Sequence, residues 1–363
     1  VIVVVAAAMV GLRGEERTAD QPTTFSSNVK VVNVPATVRD KHGQIVNTLS
    51  KDDFVLEEDG RPQEIRYFAR DTDLPLTLGL LVDTSLSQIN VLGEERRASY
   101  AFLDKMLRAK DQAFVINFDY DVTLLQDVTS SRDKLRSALD DIKSPGVERP
   151  HWSRGGGGPN DGNGQDDPNG RTRHRRGGGT LLYDGVFLAS NEVTKKESGR
   201  KALILLTDGD DRGSRETLDQ AVEAAQRADT IVYSILFADP DGPGHFHGGF
   251  GDPGMGRHGG WGGRRGGGYP MPGRVDGKKV LEKISNETGG HMFEVSKKEP
   301  IDKIYAQIED ELRNQYNLGY TPNHATDAAS GYHKIRVATK QKDLKVQARA
   351  GYYADQPVTS AAR

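Results

Sequence analysis

Residues 78–88 read Leu78-Gly79-Leu80-Leu81-Val82-Asp83-Thr84-Ser85-Leu86-Ser87-Gln88, an apolar run that stops at a carboxylate and is followed by hydroxyls at alternating positions. A short continuous apolar run bounded by polar residues is the pattern of a strand covered on both faces. The D-x-S-x-S spacing then allows one tight loop at the strand's carboxyl end to direct Asp83, Ser85 and Ser87 to the same side.

Outward from this stretch the pattern alternates between apolar strands and amphipathic helices. Strands are predicted over 76–82, 113–118, 122–127, 201–206, 231–237 and 291–295. Helices are predicted over 93–108, where Ala98, Phe102 and Met106 share a stripe, and over 131–142, 180–194, 215–227, 277–288 and 301–314. Such alternation implies an α/β fold, a Rossmann-like doubly wound and mostly parallel sheet with helices on both faces.

The flanks differ in grain. Residues 29–70 contain short β-type runs with an Asp59-Gly60 hairpin signal between FVLEE and QEIRYF. From Gln315 three further runs follow, QYNLGY, GYHKIRVATK and LKVQARAGYY. Neither flank has enough strands for two packed sheets. The expectation is that 29–70 and 315–354 fold together as one smaller β-sandwich-like domain into which the α/β domain, 76–314, is inserted.

Composition excludes several partner classes. The formal net charge of −3 gives no overall attraction to nucleic acid or anionic membrane. The absence of cysteine removes disulfides and thiolate metal sites. The 42 glycines concentrate in two inserts, 145–179 and 239–273. Their arginines and aromatics could contact nucleic acid, and His245, His247 and His258 could bind a metal. Aspartates in the first insert and irregular histidine spacing favour long surface loops instead, and no nucleic-acid partner is expected. At the start, Val1 to Leu12 is apolar, shorter than the about 20 residues a membrane span needs but suited to a signal-peptide core. Residues 1–28 are therefore read as a signal peptide and linker, 355–363 as a tail, and the protein as exported to the periplasm, cell envelope or beyond, with no stable membrane span.

In an open parallel sheet, ligands bind where the carboxyl ends of strands meet their loops. Three oxygen-rich segments fall there: Asp83 to Ser87, the Thr207-Asp208-Gly209 turn, and Thr180 after Gly177, Gly178 and Gly179. Hydroxyls and carboxylates without soft ligands suit a hard divalent cation such as Mg²⁺. Taken singly, each residue also has a structural reading, Ser85, Ser87 and Thr180 as helix caps and Asp208-Gly209 as a turn. Their joint placement favours a site.

These segments carry a resemblance. D-x-S-x-S at Asp83, Ser85 and Ser87, then Thr180, then Thr207-Asp208-Gly209, in that order, resemble the metal-ion-dependent adhesion site of von Willebrand factor type A domains. With DDFVLEEDGRPQEIRYFAR before and QYNLGY after, the chain resembles more narrowly the exported A-domain proteins of acidobacteria, and its interrupted β unit is similar to that of the integrin β subunit. The resemblance implies a non-enzymatic protein-binding or adhesion module. Ser85, Ser87 and Thr180 would lie against Mg²⁺, or Mn²⁺, with Asp83 and Asp208 acting largely through water. An Asp or Glu of a protein partner would complete the coordination. One departure is Leu86, where many members have glycine. Asp184, one helical turn after Thr180, is expected either to orient the hydroxyls or to face solvent. A Mg²⁺-dependent hydrolase or phosphoryl-transfer enzyme, and a structural envelope subunit with an inactive site, are the alternatives. The first lacks a G-x-x-x-x-G-K-[ST] loop.

Overall fold

The computed structural model describes residues 31–70, 74–142, 179–237, 276–323 and 331–354. Residues 1–28, the tail 355–363 and nearly all of both glycine-rich inserts lie outside them, and so do the expectations attached to those segments. Among the described residues no helix is long and apolar enough to cross a membrane.

Four strands come first: β1 (Val32–Arg39), β2 (Phe54–Glu58), β3 (Arg61–Gln63) and β4 (Ile65–Arg70). The α/β region then runs β5 (Leu76–Asp83), α1 (Leu92–Met106), β6 (Gln112–Phe118), β7 (Val122–Thr129) and α2 (Arg132–Asp141). It continues with α3 (Leu182–Leu188), β8 (Arg200–Thr207), α4 (Leu218–Arg227), β9 (Thr230–Leu236), α5 (Gly277–Thr288), β10 (Met292–Glu294) and α6 (Ile301–Arg313). Last come β11 (Tyr316–Tyr320), β12 (Tyr332–Thr339), β13 (Lys345–Ala348) and β14 (Gly351–Tyr353).

The central sheet has six strands in the order β10-β9-β8-β5-β6-β7, parallel except for the edge strand β7. On one face Leu76, Leu78, Leu80 and Val82 of β5 pack with side chains of α1, α2 and α6; on the other, Leu81 packs with α3, α4 and α5. Both faces are thus apolar, which explains why β5 is buried at every position. From β5 the chain first moves to β6 and β7 on one side and then returns through β8 to the other, so the strand order reverses between β5 and β8.

Two four-stranded antiparallel sheets complete the fold, β13-β1-β11-β4 and β14-β12-β2-β3. Each mixes strands from before and after the α/β region. β1 pairs with β11 and β13, and β2 with β12. Alternation in β1 buries Val32, Val34, Ala36 and Val38 against Phe54 and Leu56 of β2 and Tyr316, Leu318 and Tyr320 of β11, in one apolar cluster. The rings of Phe54 and Tyr316 meet edge to face at 5.1 Å.

Several boundaries depart from the sequence expectation, each for a local reason. The helix predicted over 180–194 begins only at Leu182, then passes through a π turn, Ala189–Val193, and a 3-10 turn, Thr194–Lys196. Thr180 is outside it, in an isolated bridge with Arg212. The helix predicted from 215 starts at Leu218, because Thr217 and Gln220 form a reciprocal capping box there. The run LKVQARAGYY divides into β13 and β14.

Candidate metal centre

Asp83 and Thr207 are the last residues of β5 and β8, the two strands at which the order reverses. Asp83 is fully buried. Its Oδ1 accepts the Ser85 N–H at 2.9 Å and its Oδ2 accepts the Thr207 hydroxyl at 2.6 Å. Thr207 Oγ1 in turn accepts the Gly209 N–H at 3.1 Å. One carboxylate therefore shapes its own loop and fastens it to the neighbouring one.

Beyond Asp83 the chain enters a 3-10 turn, Leu86–Gln88. This brings the hydroxyls of Ser85 and Ser87 to 3.0 Å from each other, with Ser85 buried and Ser87 exposed. Leu86 lies between them and is 55% exposed. It is not among the residues with positive φ, so this loop does not require the glycine common in the resembled family, and the leucine is accommodated by pointing outward.

On the β8 side, Asp208 is half-buried and its Oδ1 accepts the Asp210 N–H at 3.0 Å. Gly209 has φ +79 and sits so close to α5 that an added Cβ would collide with the Gly277 carbonyl oxygen. Here glycine is demanded twice, by the backbone angle and by the close approach.

Thr180 is buried and reaches the site through backbone pairing: its N–H donates to Arg212 O at 3.3 Å and its carbonyl accepts from Arg212 N at 2.8 Å. The next residue, Leu181, donates to Asp119 O at 2.8 Å, while Thr84 donates its hydroxyl to Asp119 Oδ2 at 2.9 Å. Thr180 is thus laced between the loops that follow β6 and β8. Asp119 went unnoticed in the sequence, although it follows β6 as Asp83 ends β5.

Asp184, half-buried in α3, has further partners that the sequence did not suggest. Its Oδ1 accepts the N–H groups of Arg215 and Glu216, both at 2.9 Å, so it fixes the approach to α4. Asp210 pairs with Arg212 at 3.0 Å, and Asp211 Oδ1 accepts from Tyr183 N and Ser214 Oγ.

The electrostatics favour neutralisation of the buried carboxylates, by a proton or by a cation. Burial pushes the Asp83 carboxyl up to about 7, outweighing the hydrogen bonds from Ser85 and Thr207, with the charge of Asp208 acting in the same direction as burial. Glu95 of α1 is also buried, and neither of its oxygens has a hydrogen-bond partner among the described residues. Burial raises its carboxyl well above the usual range, and the charge of Asp83 adds to this. A buried carboxylate short of donors is stabilised by a proton or by a nearby cation. The five candidate residues, Asp83, Ser85, Ser87, Thr180 and Asp208, offer only oxygen, the donor type that Mg²⁺ and Mn²⁺ take.

No protein-family model matches the chain, and no curated protein matches it by sequence. Several solved structures are similar to it. An aerotolerance-related membrane protein from Bacteroides fragilis is similar at 17% identity and a TM-score of 0.42, over 65% of this chain and 98% of that one. Proximal thread matrix protein 1 of the mussel byssus, in a form with a zinc-occupied MIDAS motif, is similar at 16% identity and 0.41, over 70% of this chain and 50% of that one. The VWA domain of SpRpn10 is similar at 10% identity and 0.36, over 65% of this chain and 95% of that one. The reading of the site rests on this chain's own geometry.

Proposed function

We propose that the chain is a non-enzymatic, Mg²⁺-dependent protein-binding module whose site is the loop cluster at the β5–β8 switch point. The observation that carries this reading is the pair of contacts around buried Asp83, to Ser85 N–H and Thr207 Oγ1, beside two hydroxyls 3.0 Å apart. In it Ser85, Ser87 and Thr180 would hold the cation, and Asp83 and Asp208 would supply compensating charge from behind, largely through water. When bound, the cation would use its remaining coordination to take an Asp or Glu side chain of a protein partner.

The residues themselves perform the positioning. Asp83 fixes the loop by accepting from Ser85 and Thr207, and Gly209 lets the β8 loop pass close to α5. Leu86, Ile89 and Tyr120, which are 55%, 47% and 67% exposed, offer apolar surface beside these loops for the partner residues flanking the acidic one. An exported, envelope-associated setting fits such a role.

The test is capture of partners from envelope extract with the full chain as bait, in Mg²⁺ and in chelator, alongside Ser87→Ala. Retention that depends on Mg²⁺ and on Ser87 supports the reading. A partner held equally well in chelator and by the variant contradicts it.

A further inference from the structure

The second antiparallel sheet holds a group of side chains unconnected with the switch-point site. Glu58 ends β2, Asp59 opens the turn to β3, and His333 lies in β12, the strand that pairs with β2. One ligand atom from each lies within 4.8 Å of the other two. His333 Nδ1 is 2.9 Å from Asp59 Oδ2 and 3.5 Å from Glu58 Oε1. A first-row divalent ion bound at about 2.0–2.2 Å holds its nitrogen and oxygen ligands at roughly such spacings.

The group is built rather than accidental. Asp59 is locked at φ 50, and its Oδ1 accepts Lys334 N–H at 2.8 Å while its own N–H donates to Lys334 O at 2.9 Å, which aims Oδ2 at the imidazole. The His333 ring stacks on Tyr352 at 5.3 Å, and the Tyr352 hydroxyl donates to Glu58 Oε1 at 2.9 Å. Glu58 is 6% exposed, and its Oε2 has no hydrogen-bond partner among the described residues. The nearby Arg349 guanidinium lies over the Tyr352 ring at 5.8 Å and uses its two terminal nitrogens on Asp229 at 2.6 Å and on the Asn33 carbonyl at 2.5 Å. Two carboxylates therefore face one imidazole nitrogen, and one of the two is buried.

We propose that Glu58, Asp59 and His333 form a second metal site, for a borderline first-row divalent cation of the Zn²⁺ type. The cation takes the Nδ1 lone pair of neutral His333, whose ring proton is then carried on Nε2, and takes the two carboxylates on its other sides. Imidazole separates this site chemically from the all-oxygen cluster at the switch point. Asp59, on the exposed side, gives the ion a way in, since its side chain is 48% exposed. Because Asp59 and His333 are 274 residues apart in sequence, occupancy cross-links strands from the two ends of the chain.

The experiment titrates Zn²⁺ into the full chain in saturating Mg²⁺, which occupies any all-oxygen site, and follows both calorimetry and the histidine side-chain nitrogen resonances. The parent is expected to show one Zn²⁺ equivalent that moves His333 and raises the melting temperature. His333→Gln should lose that equivalent, and Asp59→Asn, which tolerates the left-handed turn, should bind at least tenfold more weakly. A chain with His245, His247 and His258 all changed to Gln should keep it. If the His333 resonances ignore Zn²⁺, or Asp59→Asn binds as tightly as the parent, the site does not exist.

Discussion

Thr207 donates its hydroxyl to Asp83 Oδ2 at 2.6 Å, joining the ends of the two strands between which the sheet reverses its order. Through this bond the loop carrying Ser85 and Ser87 and the loop carrying Asp208 are positioned by one another. Thr207→Val keeps the shape of the side chain and removes the donor. It is expected to destabilise the fold by about 1–3 kcal/mol, because a buried carboxylate oxygen loses its partner. It should also weaken Mg²⁺ binding. Denaturant unfolding and calorimetry on parent and variant check both.

Asp83 sets a pH dependence with a definite sign. Its carboxyl is raised in the fold from 3.8 to about 7, so between those values the folded state holds a proton that the unfolded state has released. The contribution is full at low pH and is lost as pH rises through about 7. Glu95, also raised, acts with the same sign. Metal-free chain should therefore lose stability from this source as pH climbs from about 4 toward 7, and Asp83→Asn should flatten the slope. Apparent Mg²⁺ affinity should rise over the same range, because the cation competes with that proton.

Gly209→Ala and Gly277→Ala test the close approach behind the site. A Cβ at either position collides with the backbone of the other's loop, and Gly209 additionally has φ +79. Each substitution should cost more than about 1 kcal/mol and lower the melting temperature. By contrast Leu86→Gly, at an exposed position without positive φ, should change stability by no more than about 1 kcal/mol.

Strand pairing across the sequence leads to a proposal about domain organisation. Both partners of β1 and the partner of β2 in β12 come from beyond the α/β region. We propose that the two antiparallel sheets form one domain assembled from both ends of the chain. A fragment of residues 29–70 should then show no cooperative unfolding and no β-type circular dichroism. A stably folded fragment released by proteolysis after Asp71 would defeat the proposal.

Much of this was legible in the sequence, and the failures have physical causes. Continuous apolar runs marked β5, β8 and β9 because both of their faces are covered, and D-x-S-x-S marked the loop because Asp83 stops the run. Thr180 looked like a helix start because it follows glycines and precedes an apolar stretch. Its backbone pairs instead with Arg212, a contact set by the β8 loop and invisible to local periodicity. The partners of Asp184, Arg215 and Glu216, were hidden for the same reason, since they lie beyond β8. Glu95 lies in a Glu-Glu-Arg-Arg run that reads as solvated helix surface, yet it is buried beneath the β5 loop where the charge of Asp83 reaches it. The Glu58, Asp59 and His333 group was unreadable because its members meet only when β2 pairs with β12.

The central claim is most directly tested by calorimetric titration of Mg²⁺, and of Mn²⁺, into chelator-treated full chain, with Asp83→Ala and the exposed Ser87→Ala measured in parallel. The expected result is one saturable site in the parent that Asp83→Ala abolishes and Ser87→Ala weakens without loss of fold. No binding by the parent, or equal binding by both variants, would contradict the assignment of the switch-point loops as a metal centre.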